Sequence, residues 1–149
     1  MTDILDLMTM THKALRAVAE ESMRRHGLHL GQNLVLAALW EQDGRTPGEL
    51  AALLDVTTPT VVKMATRMST SGLLVRRRDD VDNRLVRLYL TDKGRDLQGP
   101  VTGDRESLER HITQGLSADE LSALASALGK VRENARSLGA PPADHTGEV

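Results

Sequence analysis

A chain of 149 residues is long enough for one domain with a real core, and nothing in it suggests a second. Cysteine is absent, which excludes disulfides, thiolate zinc sites and thiol redox switching; phenylalanine is absent too, and Trp and Tyr occur once each, so the core must come from Leu, Val, Ala and Met, a composition that favours helix-on-helix packing. The net charge of -2 is unevenly spread: residues 57–91 hold Lys63, Arg67, Arg76, Arg77, Arg78, Arg84 and Arg87 against Asp79, Asp80 and Asp82, leaving +4 there and -6 on the remainder. A basic patch on an acidic body is the electrostatic footprint of a polyanionic partner.

In chain order, Ile4, Leu5, Met8, Leu15, Val18, Ala19 and Met23 recur at helical spacing, and Gly27 stands where a helix would stop, so a long first helix is predicted. The stretch before it, "MTDILDLMTMTHKAL", has no basic segment leading into an apolar block. No run reaches the ~18 apolar residues of a membrane span, so neither a signal peptide nor a span is expected, and the cytoplasm is the expected compartment. Residues 32–42, "QNLVLAALWEQ", are apolar on nearly every side, as in a buried helix. Thr46, Pro47 and Glu49 read as N-cap, first helical position and capping-box partner of a short helix reaching about Leu54. After the turn "DVTTP", Thr57 or Thr58 caps a further helix to Ser71, closed by Gly72. On its wheel Val61, Met64, Ala65 and Met68 face inward and Pro59, Thr60, Val62, Lys63, Thr66 and Arg67 face outward.

Beyond Gly72 the period becomes two: Arg84, Val86, Leu88 and Leu90 alternate with Leu85, Arg87 and Tyr89. With residues 74–78 opposite, this makes a β-hairpin tipped by "DDVDN". Helix returns at Asp92, kinked or broken near Gly94, Gly99 and Pro100. Ser117 and Glu120 then open a last helix along Leu121, Leu124, Leu128, Val131, Ala135 and Leu138, and residues 140–149 are a Pro/Gly-rich tail expected to be disordered. The apolar stripes of the outer helices find little core within one chain and are expected to bury each other across a two-fold axis.

A helix showing small hydroxyls, Val62 and two cations, placed between a capped helix and an Arg-rich hairpin, suits a major groove. Thr can bond phosphate or base edges, Val62 can touch a thymine methyl, and Lys63 and Arg67 can reach guanine or phosphate. Three acids at a DNA-facing tip would repel phosphate unless paired, so Asp82 is expected to brace an arginine of the hairpin, freeing Arg84 to enter a narrow minor groove.

The stretch "TPGELAALLDVTTPTVVKMATRMSTSGLLVRRRDDVDNRLVRLYLTDKG" strongly resembles the MarR (multiple antibiotic resistance regulator) family of winged helix-turn-helix transcription factors. The specific pieces are "ELA", "TVVKMATRM" followed by "GLLVRR", and "D-N-R" ahead of "LTDKG"; the flanking helices, including "LSADELSALASAL", fit the family's dimerisation region in layout. The resemblance implies a mainly α fold with a small β-hairpin wing, an obligate dimer through its N- and C-terminal helices. Residues 1–30 would form a dimerisation helix, 31–94 the DNA-binding lobe (recognition helix about 57–71, wing about 73–91) and 95–139 further dimerisation helices. It further implies that Thr57, Thr58, Thr60, Lys63 and Arg67 lie on the recognition helix and that Asp82 and Arg84 are the wing's bracing acid and minor-groove arginine. Val62 and Thr66 of that helix and Arg76, Arg77, Arg78 and Arg87 of the wing complete the expected DNA contacts. Asn83, Asp80 and Val62 stand where Arg, Pro and Ser or Thr are frequent in the family.

The expected function is a homodimeric, sequence-specific regulator of transcription, a repressor on a pseudo-palindromic site in double-stranded DNA, relieved by a small aromatic or anionic effector. His12, Arg16 and Trp40 are the candidate effector-pocket residues, and Met8, Met10 and Met23 could line a plastic cavity. A ligand-independent regulator and a protein-interaction module on the same winged helix are the alternatives. The five histidines form no HExxH or paired-ligand spacing, and there is no GxSxG, P-loop or GxGxxG after a strand, so neither an enzyme nor a resident cofactor or metal is expected.

Overall fold

The computed structural model describes residues 3–139; the expected disordered tail, 140–149, lies outside them. The elements are α1 (Ile4–Arg25), α2 (Gln32–Glu41), α3 (Pro47–Leu54), α4 (Thr58–Thr70), β1 (Leu74–Arg78), β2 (Val86–Leu90), α5 (Asp92–Asp96), α6 (Gln98–Ile112) and α7 (Ala118–Ser137). Both capping boxes form: the Thr46 hydroxyl accepts from the Glu49 amide while the Glu49 carboxylate accepts from Thr46, and Ser117 and Glu120 repeat the exchange at α7. Each satisfies two of the amide donors that a helix start leaves without partners.

The core lies where α2, α3, α4 and the hairpin converge. Val35, Leu36, Leu39, Leu50, Val61, Met68, Leu74 and Leu88 are its fully buried side chains, with Leu28 closing the turn after α1. Aliphatic residues and methionine fill it, and Trp40 packs against its edge. The strands are antiparallel, Leu74 opposite Leu90 and Arg78 opposite Val86, so Leu74, Leu88 and Leu90 share the face turned to the body.

Two expectations are corrected. Thr60 is not on the outer face of α4: it is 5% exposed, next to the fully buried Val61, in a helix that packs against α3. The second strand starts at Val86 and not at Arg84, since the Leu85 amide turns back to the Asp82 carbonyl; Arg84 and Leu85 therefore belong to a wider tip. The break expected after Asp92 falls at Leu97, where α5 ends and α6 begins.

Only the C-terminal end of α1 is buried, at Ser22 and Met23, and no residue of α7 is. Ile4, Leu5, Leu7 and Met10 of α1 and Leu121, Leu124, Leu128 and Val131 of α7 are all exposed in the single chain. No helix among the described residues is long and apolar enough to cross a membrane.

Candidate nucleic-acid interface

Thr57 caps α4, its hydroxyl accepting from the Thr60 amide and standing 2.7 Å from the Thr60 hydroxyl. Pro59 in the first turn removes a donor that had no helical partner. The helix then presents Thr58, Pro59, Val62, Lys63, Thr66 and Arg67 to solvent. Val62 is 39% exposed, an apolar spot between cations. Neither the Lys63 nor the Arg67 side chain forms a hydrogen bond or ion pair with the described residues, so both heads are free.

The wing arginines divide into two groups. Arg76 reaches from β1 back to α4, its Nη2 donating to the Val62 carbonyl at 3.1 Å and the Thr66 hydroxyl at 2.5 Å. Arg78 Nη1 donates to the Asn83 carbonyl at 2.9 Å and ties the tip closed. Arg87 Nε donates to Asp79 Oδ1 at 2.7 Å and its Nη1 to the Gly44 carbonyl at 2.9 Å, joining the wing to the α2–α3 turn. These three direct donors into the protein. Arg77 lies over the Tyr89 ring, 5.4 Å from its centroid, and Arg84 stands out from the tip with its side chain 88% exposed.

Asp82 does brace an arginine, but the arginine is Arg84 itself. Nε donates to Oδ1 at 3.0 Å and Nη2 to Oδ2 at 3.1 Å, a bidentate fork that the Arg84 amide reinforces. The expectation that Asp82 would hold a different arginine and leave Arg84 unpaired is thus corrected, because the turn at Leu85 brings residues 82 and 84 side by side. The acid holding another arginine is Asp79, which the sequence reading did not single out. Its second oxygen accepts the amides of Val81 and Asp82. The Asp82 amide foremost, then Arg87 and after it the Val81 amide hold the Asp79 carboxyl below its usual range, as Arg84 does for Asp82. In return, Asp82 raises the Arg84 guanidinium and Asp79 raises that of Arg87.

A cavity of about 830 Å³ opens between the end of α1, α2, α3 and α6, lined among others by Met23, Leu34, Trp40, Leu54, Val101 and Arg105. Of the residues named for an effector pocket, Trp40 lines this cavity, as Met23 does; His12 and Arg16 do not, nor do Met8 and Met10. The body reaches only the later turns of α1, so His12 lies too far toward its free end, and Arg16 is turned onto Glu20 at 3.1 Å. Arg105 is the cation the cavity does have. No group of three or more metal-ligating side chains occurs among the described residues.

The model of a family described as transcriptional regulator SarA/Rot matches residues 17–99. The HTH-type transcriptional regulator TtmR of Methylorubrum extorquens (strain PA1) is 34% identical over 113 residues, which are 74% of this chain and 56% of TtmR, so the chain spans little more than half of that relative. The transcriptional regulator SlyA superposes with a TM-score of 0.81 at 28% identity, over 90% of this chain and 94% of its own. A MarR family regulator from Listeria monocytogenes, solved with 26mer DNA, superposes at 0.78 with 24% identity, over 90% and 89% of the two chains. With its helix-turn-helix, its two-stranded wing and a match over residues 17–99, this chain belongs to the SarA/Rot family of transcriptional regulators and has the winged-helix fold of MarR-family proteins.

Proposed function

We propose that the chain is a homodimeric, sequence-specific DNA-binding repressor whose two α4 helices enter successive major grooves of a pseudo-palindromic operator. The observation that carries this reading is the outer face of α4, where Lys63 and Arg67 flank Val62 with no protein partner while Arg76 fixes the helix against the wing. Lys63 and Arg67 can meet guanine O6/N7 or phosphate, Val62 can contact a thymine methyl, and Thr57 and Thr58 lie beside the phosphates at the helix start. Arg84, held outward by Asp82, reaches the adjacent minor groove, and Arg77 supplies phosphate attraction along the wing. The apolar stripes of α1 and α7 form the dimer interface. The cavity takes a small aromatic or anionic effector, its carboxylate or phenolate paired with Arg105, and occupancy lowers DNA affinity by shifting the separation of the two lobes.

Selecting bound duplexes from a random pool tests this. The expected product is a two-fold symmetric site with half-sites about one helical turn apart. Recovery of no preferred sequence would reject it in favour of a module that binds protein. On the selected site, Arg84→Ala should weaken binding on the order of tenfold with an unchanged circular dichroism spectrum; full affinity would remove Arg84 from the interface.

A further inference from the structure

Between the cavity and the recognition helix runs a short chain of hydrogen bonds that begins at Trp40. The indole lines the cavity, and its Nε1 donates to the Gly94 carbonyl at 2.9 Å. Gly94 is buried in α5, which grips the chain leaving α4 at several points. The Thr91 hydroxyl donates to the Gly72 carbonyl at 2.6 Å, Lys93 Nζ to the Ser71 carbonyl at 2.9 Å, and the Thr91 amide to the Leu73 carbonyl at 3.0 Å. Gly94 approaches the Leu73 carbonyl so closely that a Cβ has no room. A helix leaves its last carbonyls without helical partners, and its C-terminal end favours a cation. The last carbonyls of α4 accept from the Ser71, Gly72 and Leu73 amides, and the segment 91–94 grips the exit chain just beyond them, with Lys93 on the C-cap Ser71; Trp40 ties that segment to the wall of the cavity.

We propose that Trp40 is a positioning residue that links the contents of the cavity to the seating of α4, acting through α5 and touching no DNA itself. This rests on the regulatory reading above. A ligand that tilts the indole to enter the cavity loses the bond to Gly94, α5 loosens from residues 71–73, and α4 is no longer fixed at its C-terminal end. Coupling of this kind is reciprocal, so seating α4 on DNA is felt at Trp40 even with the cavity empty.

Trp40 is the chain's one tryptophan, so the full-length ¹⁵N-labelled protein has a single indole N–H resonance. The expected result is a shift of that resonance on saturation with the selected duplex. Trp40→Phe, which keeps a ring but has no donor, and Lys93→Ala should each weaken operator binding about fivefold, with the double variant no weaker than the poorer single, because the two act in series. An indole resonance that DNA leaves in place, or losses that multiply in the double variant, would overturn the proposal. Should Trp40→Phe fail to fold, Lys93→Ala decides: it must move the indole resonance of the free protein, and an unmoved signal overturns the link. A wild-type protein with no preferred duplex rejects the regulatory reading and this inference together, whereas selective binding with an unmoved indole rejects the inference alone.

Discussion

On the proposed reading Arg84 enters a narrow groove and has to be held away from the protein surface, and at the wing tip Asp82 holds it by a bidentate fork. Asp79 does different work, fastening Arg87 across the hairpin and collecting two amides of the tip. Both carboxyls sit below the ordinary aspartate value of 3.8 in the folded chain, so as acid is added the unfolded chain takes up its protons first. The stabilisation is therefore complete above about pH 3.8 and is lost as the pH falls through the lowered folded values. Thermal melting of wild type and Asp79→Asn should show a constant gap from about pH 5 to 8 that closes below pH 4; parallel curves down to pH 3 would mean the brace contributes nothing. The Asp82–Arg84 pairing was almost legible in the sequence, since the two are near neighbours. The Asp79–Arg87 and Arg76–Thr66 bonds were not, because they need the strand register and the placement of the wing on α4. Thr60 is the residue the helical wheel misplaced. Thr60→Val removes its hydroxyl contact with Thr57 and should cost about 1 kcal/mol in urea unfolding while leaving the selected DNA sequence unchanged. An altered base preference would put Thr60 back on the DNA.

Caps and glycines are legible in the sequence because they act locally: Thr46 with Glu49 and Ser117 with Glu120 form the boxes their spacing implies, and Gly72 follows α4 with φ 78°. Gly94 looks in the sequence like a helix breaker, yet it lies inside α5 and is required by its neighbour and not by its own dihedral angles. A methyl group there meets the Leu73 backbone and the Leu90 side chain. Gly94→Ala should destabilise the fold by about 1–3 kcal/mol, the usual cost of overfilling a packed site, and lower the urea midpoint accordingly. A midpoint equal to wild type would show that α5 can back away from the hairpin. The turn that starts β2 at Val86 rather than Arg84 was invisible to the alternation of apolar residues, since a tip residue can keep the phase of a strand without pairing in it.

The whole molecule is two-sided: a lobe with a filled core, and helices α1 and α7 whose apolar stripes lie open in one chain. The stripes were plain in the sequence, whereas the cavity was not, because its wall gathers residues from α1, α2, α3 and α6 that no local pattern relates. Placing a charge on the stripe of α7 with Leu128→Glu should turn a dimer into a monomer in sedimentation analysis and reduce operator binding by more than tenfold, since each half-site is then bound alone. A dimer that survives the change would move the interface elsewhere. Because no residue of α7 is buried within its own chain, an isolated copy keeps twenty helical residues by local propensity, one capping box and the half-exposed Arg136–Asp55 ion pair at 3.6 Å, a marginal state for such a length in water. On the dimer reading, pairing supplies the rest, so the melting temperature rises with protein concentration. Freshly made, scarce copies would then be the ones open to proteolysis, and the regulator would persist only above a threshold of its own abundance, giving its disappearance from a cell a sharper edge than dilution alone provides.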